Sequence, residues 1–198
     1  VVGNSGTITV VSTTDTSITL EWTQATDNKS AAGNLTYTVY YSRDTSMDSL
    51  PDLQAYGTAD ASMDGTTDAT TLQHTISGLD DGYTYTMNLI VTDEKGNTSV
   101  YTKVSQLLPD ITAPTAGNSG TITIDATTDT SLTIGWTQAS DNISAQDALT
   151  YSVYYSKDAT LDTLSEIQTN ATFDATVDGT ADATTLQHTI SGLDDGYT

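Results

Sequence analysis

Apolar and polar residues alternate along most of this chain. Ile18, Leu20 and Trp22 take turns with Thr19 and Glu21. Leu35, Tyr37, Val39 and Tyr41 share one face of the next run, and Leu72, His74 and Ile76 share one face of another. Tyr85, Met87, Leu89 and Val91 belong to the most apolar run of all. A period of two puts successive side chains on opposite faces of an extended backbone, so each run predicts a strand with one face in a core. Thr7–Val11 and Ser99–Ser105 read as two further strands. Polar turns separate them at Thr13–Thr16, across the loop 24–34, at the Leu79–Gly82 corner and at Asp93–Asn97. The span 44–70 is the least regular. Asp48–Gln54 and its later counterpart Asp162–Gln168 have the make-up of one helical turn. Phe173, Ala175 and Val177 alternate like an edge strand that ends in an Asp178-Gly179 turn. About seven short strands with turn signals between them, and no sustained helical period, predict an antiparallel β-sandwich.

The pattern then repeats. Thr71–Thr84 recurs letter for letter as Thr185–Thr198, an offset of 114 residues. The same offset relates Gly3–Thr9 to Gly117–Thr123, Trp22–Ala25 to Trp136–Ala139, and Tyr37–Ser42 to Tyr151–Ser156, with no insertion or deletion. A period this long is a whole small domain rather than one turn of a solenoid. The expected organisation is a sandwich over 1–109, a linker over 110–115 stiffened by Pro109 and Pro114, and a second copy over 116–198. The second copy matches positions 1–84 only. It is therefore expected to lack the last two strands, either because the array continues or because a neighbouring chain supplies them by donor-strand complementation.

Charge narrows the partners. With 26 acidic and 5 basic residues the net charge is −21. Such a surface repels nucleic-acid phosphates and anionic lipid headgroups and favours cations. The chain has no cysteine, so disulfides do not hold it together. It has no apolar run long enough to span a membrane as a helix.

Several of these residues together resemble fibronectin type III repeats of the kind found in large bacterial surface proteins. The likeness is carried by Trp22 and Trp136, by Tyr37–Tyr41, and by Leu79–Tyr85, where Tyr85 falls six residues after Leu79 as in that family's tyrosine corner. Val91–Ser99, the leader Asp110–Thr115 and the box Trp136–Asn142 add to it. The resemblance implies tandem immunoglobulin-like, fibronectin type III-like sandwiches that belong to an extracellular or cell-surface protein. No Arg-Gly-Asp tripeptide is present, so integrin-type binding is not implied.

Chemistry is sparse. His74 and His188 are the only histidines and lie one repeat apart, which favours a packed structural role in each copy over a shared site. No G-x-S-x-G elbow and no cysteine nucleophile occur, and a lone small sandwich offers little cleft for a carboxylate pair. The chain is therefore read as not an enzyme and as needing no cofactor. The acidic loops are the best remaining signal. In an array, Asp80, Asp81 and Asp110 at the end of one sandwich would meet Asp141 and Asn142 at the start of the next. That set of oxygens suits Ca²⁺, although no EF-hand spacing is present. Asn28, Asn34, Asn97, Asn142 and Asn170 begin Asn-x-Ser/Thr triplets and are candidate glycan acceptors. Tyr40 and Tyr154 face away from the core and either pack under the 44–70 span or offer a sugar-stacking surface. The expected function is a structural or adhesive segment of a fibre, stalk or adhesin. Its partners would be neighbouring repeats, identical chains, or a cell-surface or polysaccharide target. The alternatives are a strand-exchanging filament subunit and a spacer or carbohydrate-binding module of a secreted enzyme.

Overall fold

Each alternating run forms a strand, and strand pairing sets which of its faces is buried. The computed structural model describes residues 1–43, 46–157 and 160–194 and divides into two units, Val1–Ile111 and Thr112–Thr198. The final positions of the recurring stretch, 195–198, lie outside the described residues, as do 44–45 of the irregular span. The strands of the first unit are β1 (Ile8–Thr13), β2 (Ser17–Thr23), β3 (Thr36–Ser42), β4 (Thr58–Asp64), β5 (Thr71–Ser77), β6 (Thr84–Thr92), β7 (Thr98–Val100) and β8 (Val104–Leu107). One helix, α1 (Leu50–Tyr56), lies between β3 and β4.

They make two antiparallel sheets, one ordered β1-β2-β5 and the other β4-β3-β6-β7, with β8 also paired to β6. The β2–β5 register sets Ile18 opposite Ile76, Leu20 opposite His74 and Trp22 opposite Leu72. The β3–β6 register sets Val39 opposite Leu89 and Tyr37 opposite Val91. Their inner faces close one core around Trp22, Tyr37, Leu20, Met87 and Leu89, which is the fibronectin type III-like sandwich expected from the sequence. Burying a side chain such as Leu89 contributes about 2 kcal/mol. Tyr37 lies 6.0 Å from Trp22 and 6.4 Å from Tyr101, centroid to centroid, in tilted and edge-on contacts.

β6 is buried on both faces because both faces are covered. Behind the sheet, the span 46–57 folds over it, and Met47, Leu53 and Ile90 form a second small cluster against Tyr40, Leu50 and Val100. The helix within this span is longer than the single turn expected. A capping box starts it: Ser49 Oγ accepts from Asp52 N–H, Asp52 Oδ2 accepts from Ser49 N–H, and a proline sits in the first turn.

The strand expected over Ser99–Ser105 is instead broken. Asn88 is fully buried, and its amide donates to the carbonyls of Tyr101 and Met47 at 3.0 and 2.7 Å. At the break Tyr101 turns into the core and donates its hydroxyl to Thr23 O, while Thr102 bridges to Thr7 of the opposite sheet edge. Pairing with β6 resumes at β8.

The second unit repeats this design. Its elements are β9 (Ile122–Thr127), β10 (Ser131–Thr137), β11 (Thr150–Tyr155), α2 (Leu164–Asn170), β12 (Thr172–Asp178) and β13 (Thr185–Ser191). The sheets are β13-β10-β9 and β11-β12. No counterparts of β6, β7 and β8 occur among the described residues.

Both units begin with the same left-handed turn, in which Asn4 and Ser5, and likewise Asn118 and Ser119, have positive φ. Gly3 and Gly117 precede it because a Cβ there would run into the carbonyl oxygens of Gln24 and Gln138.

Candidate functional site

The acidic loops were the strongest sequence signal, and Asp27, Asp80, Asp81 and Asp141 each have protein partners inside their own unit. In the first unit Asp27 Oδ1 accepts from the backbone N–H groups of Ser30 and Lys29, both at 2.8 Å. These bonds hold its carboxyl below the ordinary value. Asp141 accepts in the same way from Ile143 and Ser144. Asp80 pairs with Arg43, whose guanidinium lies 3.7 Å over the Tyr83 ring. Asp80 N–H also donates to the Tyr85 hydroxyl at 3.0 Å, so the tyrosine corner implied by the resemblance is formed. Asp81 is nearly buried, and its Oδ2 accepts from Ile111 N–H at 2.9 Å beside Asp110.

The first unit thus brings Asp80, Asp81 and Asp110 to the end where its chain leaves. The second brings Asp141 and Asn142 to the end where its chain enters, through the Thr115–Ser140 bridge. Among the described residues no three His, Asp or Glu side chains are grouped as a metal centre requires.

The histidines are partnered in a way the sequence reading missed. His74 Nε2 lies 2.5 Å from Asp60 Oδ2, and His188 Nε2 lies 2.5 Å from Asp174 Oδ2. His74 belongs to β5 and Asp60 to β4, the edge strands of opposite sheets, so the bond ties the two sheets together along one side of the sandwich. A signal was available: an aspartate precedes each histidine by the same fourteen residues. Gln24 was missed as well. Buried at the end of β2, its Oε1 accepts from Thr66 N–H at 2.8 Å, while its Nε2 donates to the carbonyls of Thr66 and Ala69. Gln138 repeats every one of these bonds with Thr180 and Ala183.

The five candidate glycan asparagines are all exposed. The Asn34 amide donates to Glu94 at 2.9 Å and that of Asn97 to Asp93 at 2.7 Å. Asn28, Asn142 and Asn170 are exposed, the first two in loops and the last at the end of α2. Tyr40 packs in the second cluster of its unit. Tyr154 meets Phe173 edge-on at 5.5 Å, with both rings partly open to solvent.

No family model matches the chain, and no curated protein matches it. Solved structures similar to it include the third fibronectin III domain of human KIAA0343 protein, at 21% identity and a TM-score of 0.39, covering 57% of this chain and 86% of that one. A two-domain fibronectin type III segment of chicken tenascin is 20% identical with a TM-score of 0.36, covering 96% and 84%. The central fibronectin III array of RIM-binding protein is 15% identical with a TM-score of 0.36, and the match spans 96% of this chain and 57% of that array. The strand order described above defines the class: tandem β-sandwiches with a fibronectin type III-like arrangement.

Proposed function

We propose that this chain is a non-catalytic segment of a long extracellular repeat protein, a fibre, stalk or adhesin, in which each sandwich sets distance and resists pulling. The observation that carries the reading is where the chain enters and leaves the first unit. Val1 pairs with Thr26 just beyond the end of β2, whereas Gly82 N–H bonds to Pro109 O just beyond the end of β5. Since β2 and β5 run antiparallel with Thr23 opposite Thr71, these are opposite poles of the sandwich. Tension between the ends therefore runs along the strands, and the unit passes it on without a fold-back. Repetition at one unvarying offset fits units added in series.

The test is the intact mass of the native polypeptide under denaturing conditions. A mass far above 20.8 kDa supports the series reading. A mass near that value overturns it in favour of a filament subunit completed by its neighbours.

Calcium binding is the lesser part of the proposal. It rests on Asp80, Asp81 and Asp110 lying toward one end of the first unit, and a thermal melt unmoved by millimolar Ca²⁺ against chelator removes it.

A further inference from the structure

One sheet of each unit carries almost no charge on its strands. The chain has 26 acidic residues, yet β1, β2 and β5 hold only Glu21, and β9, β10 and β13 hold only Asp125. None of the six strands holds Lys or Arg. The exposed outer face is made of hydroxyls and amides instead, such as Thr9, Gln73 and Thr75, and Thr123, Gln187 and Thr189. In the second unit this face holds a polar hollow of about 210 Å³. Asn118, Thr123, Asp125, Thr137 and Gln187 are among the residues that line it, together with Gly135 of the central strand.

Two residues make the hollow. Eight of its ten lining positions carry the same residue one repeat earlier. Only Gly135 and Asp125 differ, where the first unit has Glu21 and Val11. In the first unit Glu21 rises from the central strand and accepts from Gln73 Nε2 at 2.7 Å. In the second unit the carboxylate has moved to β9. Asp125 is the extra residue of a bulge, a device that re-aims a side chain. Its Oδ2 accepts from Gln187 Nε2 at 2.7 Å and its Oδ1 from the Thr123 hydroxyl at 2.9 Å. The carboxylate–glutamine bond is kept, while the long side chain over the central strand is gone. A Cβ at Gly135 would run into the Asp125 carboxylate, so the two exchanges work only as a pair.

We propose that this hollow binds one ring of a neutral saccharide. Sugar hydroxyls both donate and accept, and the hollow offers both kinds of partner: the Asp125 carboxylate, the amides of Asn118 and Gln187, and threonine hydroxyls. It is smaller than the roughly 300–1,000 Å³ of a site for a drug-sized ligand, which limits the occupant to a single ring. A net charge of −21 repels acidic sugars. A hard cation would need several carboxylate and carbonyl oxygens, and the hollow has one carboxylate. The site adds a binding role to the spanning one and stands whether or not the chain belongs to a fibre.

The probes are the methyl glycosides of glucose, galactose, mannose and N-acetylglucosamine, each titrated into the 198-residue protein and followed by amide chemical shifts. They are taken to about 100 mM, well above the millimolar Kd that a few hydrogen bonds in an open site support. At least one should move the Gly135 and Asp125 amides along a saturating curve and leave Glu21 and Val11 of the first unit still. The double variant Asp125→Val/Gly135→Glu, which carries the first unit's own pair, should lose the response and keep the fold. The reverse pair, Val11→Asp/Glu21→Gly, should give the first unit the same response. The assignment is overturned if no glycoside gives a saturating shift, if methylammonium gives one instead, or if Glu21 and Val11 respond equally. A response that survives in the first double variant, or a reverse pair that gains none, overturns it as well.

Discussion

The two units are nearly the same sequence in two different situations. The Gln24 bridge recurs as Gln138, the Ser49 cap as Thr163, the Asp27 loop as Asp141, and the histidine–aspartate tie in both, with closely matching distances. The inner faces differ. Trp22 and Tyr37 are fully buried, whereas Trp136 and Tyr151 remain partly open. Turns, caps and loop bridges are made by residues close in sequence or on directly paired strands, so they form wherever their stretch occurs. The core is made by a strand from a later part of the repeat.

That contrast can be broken most severely at β6. Leu89→Ala should cost the first unit about 3 kcal/mol and leave the second unchanged, read as the change in hydrogen-exchange protection of each unit's strands under denaturant. Equal losses in both units would mean that the second does not hold itself together independently. Next comes the matched pair Ile8→Ala and Ile122→Ala. The first should cost about 2–3 kcal/mol and the second about 0.5 or less, checked by urea midpoints. A smaller effect tests the sameness of the units: Gln24→Ala and Gln138→Ala should each cost about 1–2 kcal/mol, because each removes a buried side chain whose amide bridges the N–H and two carbonyls of the following loop. Ser49→Ala and Thr163→Ala should each lower stability by about 1 kcal/mol through loss of the helix cap.

The smallest effect is confined to the first unit and depends on pH. The Asn97 side chain, and then its backbone N–H, hold the Asp93 carboxyl below its ordinary value. A lowered folded value adds stability above the unfolded carboxylate value of about 3.9, and this is lost as pH falls through the folded one. Asp93→Asn should therefore lower the first unit's Tm at pH 7, with the difference vanishing well below that value.

Much of the fold was legible in the residues. The period-two runs from Ile18, Tyr37, Leu72 and Tyr85 mark strands and their inner faces, since alternation is a property of extended backbone alone. The resemblance supplied the Tyr85 corner. Harder to read were the partner of His74, the loop held by Gln24, and the break at Tyr101 imposed by the buried amide of Asn88. Each depends on which strands end up side by side or face to face, and Asp60 and His74 meet only because their strands are edges of opposing sheets.

Of the acidic candidates, the sequence marked Asp80, Asp81 and Asp141 as clustered charge. Only the structure decides that Arg43, Ile111 N–H, and the N–H groups of Ile143 and Ser144 engage them. Ile8 and Ile122 show the same division. The local sequence places both on the inner face of a first strand, and closure of the core by the later stretch that carries β6 to β8, which no local pattern contains, decides which of them leaves water.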